Sequence, residues 1–169
     1  MSASLQVMTT VTLVGADTFK FEFAIVGAVE KLLIPKSALP ERTYGLWQHS
    51  CFEAFIGLNT GGYVELNFSP SGQWAAYHFD AYRSGMADAI DLSPPDISWE
   101  RAGENRLLLT ALVDVSTVED LMSWTFGLSA VLEEKSETKS YWALAHPHGA
   151  PDFHHSDCFA LQLTPPETL

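Results

Sequence analysis

Residues 51–79 read CFEAFIGLNTGGYVELNFSPSGQWAAYHF, and this stretch decides the fold that the sequence predicts. It contains three apolar segments of strand length, separated by the turn-forming sequences GLNTGG and SPSG. Short runs rich in aromatic and β-branched side chains, bounded by Gly, Pro, Asn and Ser, are typical of strands joined by turns. The stretch therefore predicts three consecutive antiparallel strands, over residues 51–57, 63–68 and 73–82.

The register of these strands follows from their apolar residues. In residues 69–72, SPSG, the Pro and Gly positions favour a tight turn, and a hairpin closed there pairs Asn67 with Trp74. For the preceding hairpin, a register that pairs Glu53 with Asn67 collects the apolar side chains on one face. The predicted core-facing residues are Phe52, Ala54, Ile56, Val64, Leu66, Phe68, Ala75 and Tyr77. The predicted opposite face carries Glu53, Glu65, Asn67, Trp74 and His78.

The rest of the chain continues the strand pattern. Apolar side chains alternate over residues 5–13 and 19–25, which indicates half-buried strands. Further strands are predicted over residues 97–101, 106–115, 123–133, 139–145 and 157–163, with short helical hints only at 84–88 and 116–121. The sequence thus predicts an all-β protein, an antiparallel β-sandwich of the jelly-roll type. One domain would cover residues 1–164, and residues 165–169 would form a loose tail.

Composition and charge narrow the class of protein. The chain has 169 residues, of which 47% are hydrophobic, so it can bury a sizeable core and is not a disordered chain. A formal net charge of −12 repels phosphates and anionic lipid, which argues against nucleic acid and membrane partners. No secretory signal is visible, so we expect a cytoplasmic protein whose Cys51 and Cys158 remain free thiols.

The predicted polar face has two interpretations. A sheet face that carries carboxylates, an amide, an imidazole and an indole can simply be solvated. Alternatively it is a ligand platform, on which Trp stacks against a flat molecule while Glu and Asn bind its hydroxyls.

A histidine-rich stretch, residues 146–155, is the second candidate site. His146, His148, His154 and Asp157 could hold zinc and support a metal-dependent enzyme, but their spacing matches no metal motif. The simpler interpretation is a loop whose His and Asp side chains bond its own backbone. A glycosidase pair formed by Glu53 and Glu65 would rest on their proximity alone.

Three segments carry a resemblance to a known family: LWQHSCFEAFIG at residues 46–57, YVELNFSPSGQWAAYHFDAYR at 63–83, and SYWALAHPHGAPDFHHSDCFALQL at 140–163. They resemble DOMON-like proteins and the related family 9 carbohydrate-binding modules, in which a Trp precedes a strand that carries Cys and Glu. The resemblance extends over about residues 32–163. The late Trp with which those modules close their binding slot has no counterpart here; the region offers Trp142, Phe153 and histidines.

The resemblance implies a non-catalytic jelly roll that binds a saccharide. Trp47 matches a stacking wall and Glu53 matches an acceptor for sugar hydroxyls, while Asn67, Trp74 and His78 join the predicted site through the register. The superfamily also contains haem binders, for which Met86 and the 146–155 loop offer axial ligands, and calcium sites that cannot be placed on this sequence. A protein-interaction domain is the remaining alternative.

Overall fold

The computed structural model describes residues 4–121 and 124–165, which form two antiparallel β-sheets packed face to face. In chain order the strands are β1 (Gln6–Leu13), β2 (Thr18–Val26), β3 (Cys51–Gly57), β4 (Tyr63–Phe68), β5 (Trp74–Phe79), β6 (Ala87–Asp88), β7 (Asp96–Arg101), β8 (Arg106–Asp114), β9 (Trp124–Glu133), β10 (Lys139–Ala143) and β11 (Leu161–Leu163). The smaller sheet has the order β1-β2-β8-β7. The larger has the order β10-β9-β3-β4-β5-β6, and β11 pairs with β9.

The main core lies between the two sheets and follows from the alternation of side chains along the strands. Phe19, Phe21 and Phe23 on β2 are buried and face the larger sheet. The ring of Phe23 lies 5.2 Å from that of Phe52 on β3, and the ring of Phe19 lies 5.2 Å from that of Phe126 on β9. Aromatic contacts therefore join the sheets along their length.

The predicted fold class is confirmed. Strands β3 and β4 have the predicted bounds, and the other long strands agree to within a few residues; Ser123, at the start of one prediction, lies outside the described residues. Both cysteines are buried free thiols, as expected. Within residues 4–121 and 124–165, no helix is long and apolar enough to cross a membrane. Of the predicted tail, residues 166–169 lie outside the described part of the chain.

Three local predictions are wrong. Residues 84–88 contain the short strand β6, and residues 116–121 form turns, because segments of five or six residues cannot offset the cost of nucleating a helix. The stretch predicted as a strand over 157–163 begins in a 3₁₀ turn, Ser156–Cys158, and only β11 is extended.

The register of the β4–β5 hairpin also differs from the prediction. Glu53 pairs with Asn67 as expected, but Asn67 pairs with Ala75 instead of Trp74. The reason is the turn: the backbone of Ser69 bonds that of Gln73 and Gly72 has a φ of 91°, which makes a three-residue loop with a left-handed last position. One extra residue in the loop moves every side chain of β5 to the other face.

We expect Gly72→Ala to destabilise the protein by about 1–2 kcal/mol, because a side chain at this φ meets its own backbone. Urea unfolding measures the change, with Gly15→Ala as the control at a glycine without positive φ. Equal losses in the two variants would contradict the role given to Gly72.

Candidate functional site

A cleft of about 470 Å³ opens on the outer face of the larger sheet, opposite the core. Its floor consists of side chains from β3, β4, β5 and β9: Glu53, Glu65, Tyr77, Phe79 and Val131. Its rim comes from turns, loops and β10: Trp47, Arg83, Met86, Tyr141, Pro151, Phe153 and His154. The cleft is therefore built on the polar face that the sequence predicts, and its walls are loops and one edge strand.

Strand pairing places the carboxyl groups of the floor. Glu53 on β3 lies directly opposite Asn67 on β4 and Ser129 on β9. Glu65 lies opposite Phe55 and Tyr77. Because side chains alternate, these polar groups share one face with Tyr77, whereas Phe52, Ala54 and Leu66 point into the core.

The two carboxyl groups are buried and hydrogen-bonded to neutral partners. Glu53 is 4% exposed and accepts a hydrogen bond from the Ser129 hydroxyl at 3.3 Å. Glu65 is 6% exposed and accepts one from Nδ2 of Asn67 at 3.1 Å. Oδ1 of Asn67 has no hydrogen-bond partner among the residues that the structure describes. When both carboxyl groups are ionised, Glu53, Glu65 and the adjacent Asn67 therefore have more acceptor atoms than donors.

Burial makes both carboxyl groups weak acids. Desolvation, with repulsion from Glu65 as the smaller cause, raises the pKa of Glu53 from 4.5 to about 8. Desolvation also raises the pKa of Glu65 to about 7, against the lowering effects of the Asn67 hydrogen bond and the charge of Arg83. The two groups titrate as a coupled pair, which retains at least part of its protons near neutral pH.

His154 closes one side of the cleft. Its Nδ1 forms a 2.7 Å hydrogen bond with the hydroxyl of Tyr63, and its Nε2 lies 3.6 Å from Oε2 of Glu65. Desolvation, then the nearby charge of Arg83, lowers the pKa of His154 to about 4, against the attraction of Asp152. A neutral imidazole therefore faces Glu65, and the short approach is not an ion pair.

The cationic side chain on the rim is already paired. Nη2 of Arg83 donates to Oδ1 of Asp152 at 2.8 Å, and the hydroxyl of Tyr82 donates to Oδ2 of the same carboxylate. The backbone N–H of His154 also donates to Asp152. Asp152 therefore neutralises Arg83 and fixes the loop that carries His154.

Two exposed aromatic side chains stand on the rim. Trp47 is 56% exposed and belongs to the 3₁₀ turn Leu46–Gln48, which Gly45 begins with a φ of 75° and the buried Leu46 anchors. Tyr141 on β10 is 47% exposed and pairs with Val131, which in turn pairs with Cys51. Large apolar faces left in solvent at a cleft are available for a ligand.

The structure brings part of the predicted site together. Trp47 and Glu53 line the cleft, and Asn67 lies beside its carboxyl groups. Trp74 and His78 do not belong to it, since the shifted register turns them to the opposite face. Trp74 packs in the main core under the guanidinium of Arg42, 4.4 Å from its ring centre, and Nε2 of His78 contacts Asp91 at 3.3 Å.

Glu65 was predicted on this face, although it was not named among the ligand contacts. The lining residues that were not predicted on it are Tyr77, Phe79, Arg83, Val131, Tyr141, Pro151 and Phe153. The position of Tyr141 could have been predicted from the alternation of side chains along β10. Trp142 packs against the core, so its neighbour Tyr141 points to the other face of the sheet. Phe153 and Arg83 lie on loops, and loops have no sequence periodicity from which the direction of a side chain could be predicted.

The histidine-rich stretch behaves as a loop that bonds its own backbone. Asp152 accepts from the N–H of His154, and Nδ1 of His155 accepts from the N–H of Asp157. Across residues 4–121 and 124–165, no three His, Cys, Asp or Glu side chains form a group able to hold a metal ion, so His146, His148, His154 and Asp157 do not assemble. Met86 and His154, which belong to the groups considered as haem ligands, both line the cleft.

The buried carboxyl pair predicts a pH dependence. Above about pH 4.5 the folded chain holds protons that the unfolded chain has lost, so the stability that this pair contributes falls from about pH 4.5 until pH passes the folded pKa values of about 7 and 8. We expect Glu53→Gln to gain stability relative to wild type between about pH 5 and pH 8.5, by a few kcal/mol in order of magnitude. Urea unfolding at several pH values measures this gain.

Glu100→Gln is the control for loss of one carboxylate, because Glu100 is exposed on β7 of the other sheet. A stability difference between Glu53→Gln and wild type that does not change with pH would contradict the assignment of the buried pair.

Comparisons with known proteins support the fold. No protein-family model matches the chain, and no curated protein sequence matches it. Among solved structures, the chain is similar to one described as a "putative carbohydrate-binding protein" from Bacteroides uniformis, with a TM-score of 0.59. The match has 13% sequence identity and covers 92% of this chain and 84% of the other. At that identity the similarity establishes a shared β-sandwich fold.

Proposed function

We propose that this protein is a non-catalytic binding domain for a saccharide or a similar polyhydroxylated small molecule, held in the cleft of the larger sheet. The observation that carries the proposal is the position of exposed Trp47 and Tyr141 around a floor that contains buried Glu53 and Glu65. The same cleft therefore offers apolar rings and hydrogen-bonding groups.

This combination matches the two kinds of surface on a sugar. A pyranose ring has a face of C–H groups, which packs against an aromatic ring, and a rim of hydroxyls, which need acceptors and donors. Trp47 and Tyr141 offer the aromatic surfaces. The carboxyl groups of Glu53 and Glu65, which are partly protonated near pH 7, can both accept from and donate to hydroxyls.

The size of the cleft agrees with a small ligand. The volume of about 470 Å³ falls within the range of small-molecule sites, roughly 300–1,000 Å³. The similarity to the fold of a protein named for carbohydrate binding supports the same assignment. We further propose, on the sequence resemblance, that the chain is a DOMON-like relative of the family 9 carbohydrate-binding modules.

We expect Trp47→Ala to weaken saccharide binding by about fivefold to tenfold, because it removes one stacking surface worth about 1 kcal/mol. Trp47 is exposed, so the folded structure should keep its melting temperature. Isothermal titration calorimetry with a panel of mono- and disaccharides, up to tens of millimolar, measures affinities that we expect between about micromolar and millimolar.

Leu39→Ala is the control, since Leu39 is an exposed apolar side chain outside the cleft. If no saccharide in the panel binds wild type, the carbohydrate function is wrong. If Trp47→Ala binds as tightly as wild type, the site lies elsewhere.

A further inference from the structure

We propose that the preferred ligand is an amino saccharide, whose ammonium group binds between the carboxyl groups of Glu53 and Glu65. This inference rests on the proposed function and names the class of sugar that the same cleft selects. It starts from an imbalance among Glu53, Glu65 and the adjacent Asn67, whose acceptor atoms outnumber the donors bonded to them.

The imbalance can be traced group by group. The two carboxyl groups receive one hydrogen bond each, from the Ser129 hydroxyl and from Nδ2 of Asn67. Oδ1 of Asn67, a residue only 1% exposed, receives none from the described part of the chain, residues 4–121 and 124–165. Asn67 lies opposite Glu53 in the sheet and is bonded to Glu65, so this unpartnered acceptor stands beside both carboxyl groups. Buried acceptors without donors are costly, and a group that brings N–H donors removes that cost.

The floor also lacks a positive charge. Buried carboxylates normally have a cationic partner, but the guanidinium of Arg83 is bonded to Asp152 and the imidazole of His154 is bonded to Tyr63. An ammonium group has three N–H donors and no acceptor, so it complements two carboxylates more closely than a hydroxyl does. A ligand with an ammonium group would supply the missing charge itself and would favour release of the protons that the carboxyl pair holds near neutral pH.

The walls and the overall charge favour the same ligand. Faces of Trp and Tyr rings attract cations, and Trp47, Tyr77 and Tyr141 line the cleft. The net charge of −12 attracts cations to the protein and repels acidic sugars. The exposed rings on the rim favour a ligand that also has a ring face to pack against them, and a non-cyclic amine has none.

The test compares sugars that differ at one substituent. Glucosamine, galactosamine and mannosamine are titrated at about pH 6.5, where their amines are protonated, against their N-acetyl derivatives and the parent hexoses. We expect at least one amino sugar to bind tenfold or more tightly than its two neutral counterparts. Glu53→Gln and Glu65→Gln should each reduce that affinity at least tenfold, since each removes a carboxyl group that can release its proton and become anionic when the ammonium group binds.

Glu133→Gln is the matched control, because Glu133 is also a buried Glu of the larger sheet but pairs with His49 outside the cleft. It should bind the amino sugar as wild type does. A circular dichroism spectrum of each Gln variant at the pH of the titration ensures that the variants are compared as folded proteins.

The outcomes separate the two proposals. If parent and N-acetyl sugars bind as tightly as amino sugars, the amino-saccharide inference is wrong while saccharide binding stands. If no sugar of any kind binds, both are wrong. If cyclohexylammonium binds as tightly as the best amino sugar, the cleft recognises an organic cation and the saccharide assignment is wrong.

Discussion

The pairing of β3 with β4 and β9 is the constraint on which both sides of the larger sheet depend. The register that sets Glu53 opposite Asn67 and Ser129 also turns Phe52, Ala54 and Ile56 into the main core. A shift by one residue would put a carboxyl group among the phenylalanine rings and the rings in solvent. The core therefore fixes the positions of the cleft residues, although it does not touch them.

Covering the outer face of the larger sheet destabilises the folded protein, because it desolvates two carboxyl groups. Glu53 and Glu65 would be ordinary solvated carboxylates on an open sheet, but the rim residues enclose them and raise their pKa values. A second apolar cluster makes this covering possible: Phe55, Tyr63 and Phe79 on the strands pack with Phe159 and Phe153 from the late loop. Burial of these rings holds the loop in place and so offsets the desolvation of the carboxyl groups.

Much of the fold could be predicted from the sequence because alternation along strands is a local signal. It gave the bounds of β3 and β4, the buried face of β2 and the pairing of Glu53 with Asn67. It failed at β5, because the choice between a two-residue and a three-residue loop before this strand depends on the left-handed φ of Gly72. That single position moved Trp74 and His78 out of the predicted site and brought Tyr77 and Phe79 into it. The rim residues Arg83 and Phe153 could not be placed, since loops are positioned by tertiary contacts such as those of Asp152.

The late histidine-rich loop shows why residue type alone does not assign a role. Imidazoles and carboxylates at high density suggest a metal-binding site, yet in the structure these side chains contact different partners. Asp152 binds Arg83, and the side chain of His155 caps the turn Ser156–Cys158. His154 lies apart from them, at the side of the cleft next to Glu65. Because Asp152 neutralises Arg83 at the rim, the carboxyl pair on the floor keeps no cationic partner of its own. The same loop that encloses Glu53 and Glu65 thus leaves this carboxyl pair without a cationic hydrogen-bond donor, and a cationic ligand can supply one.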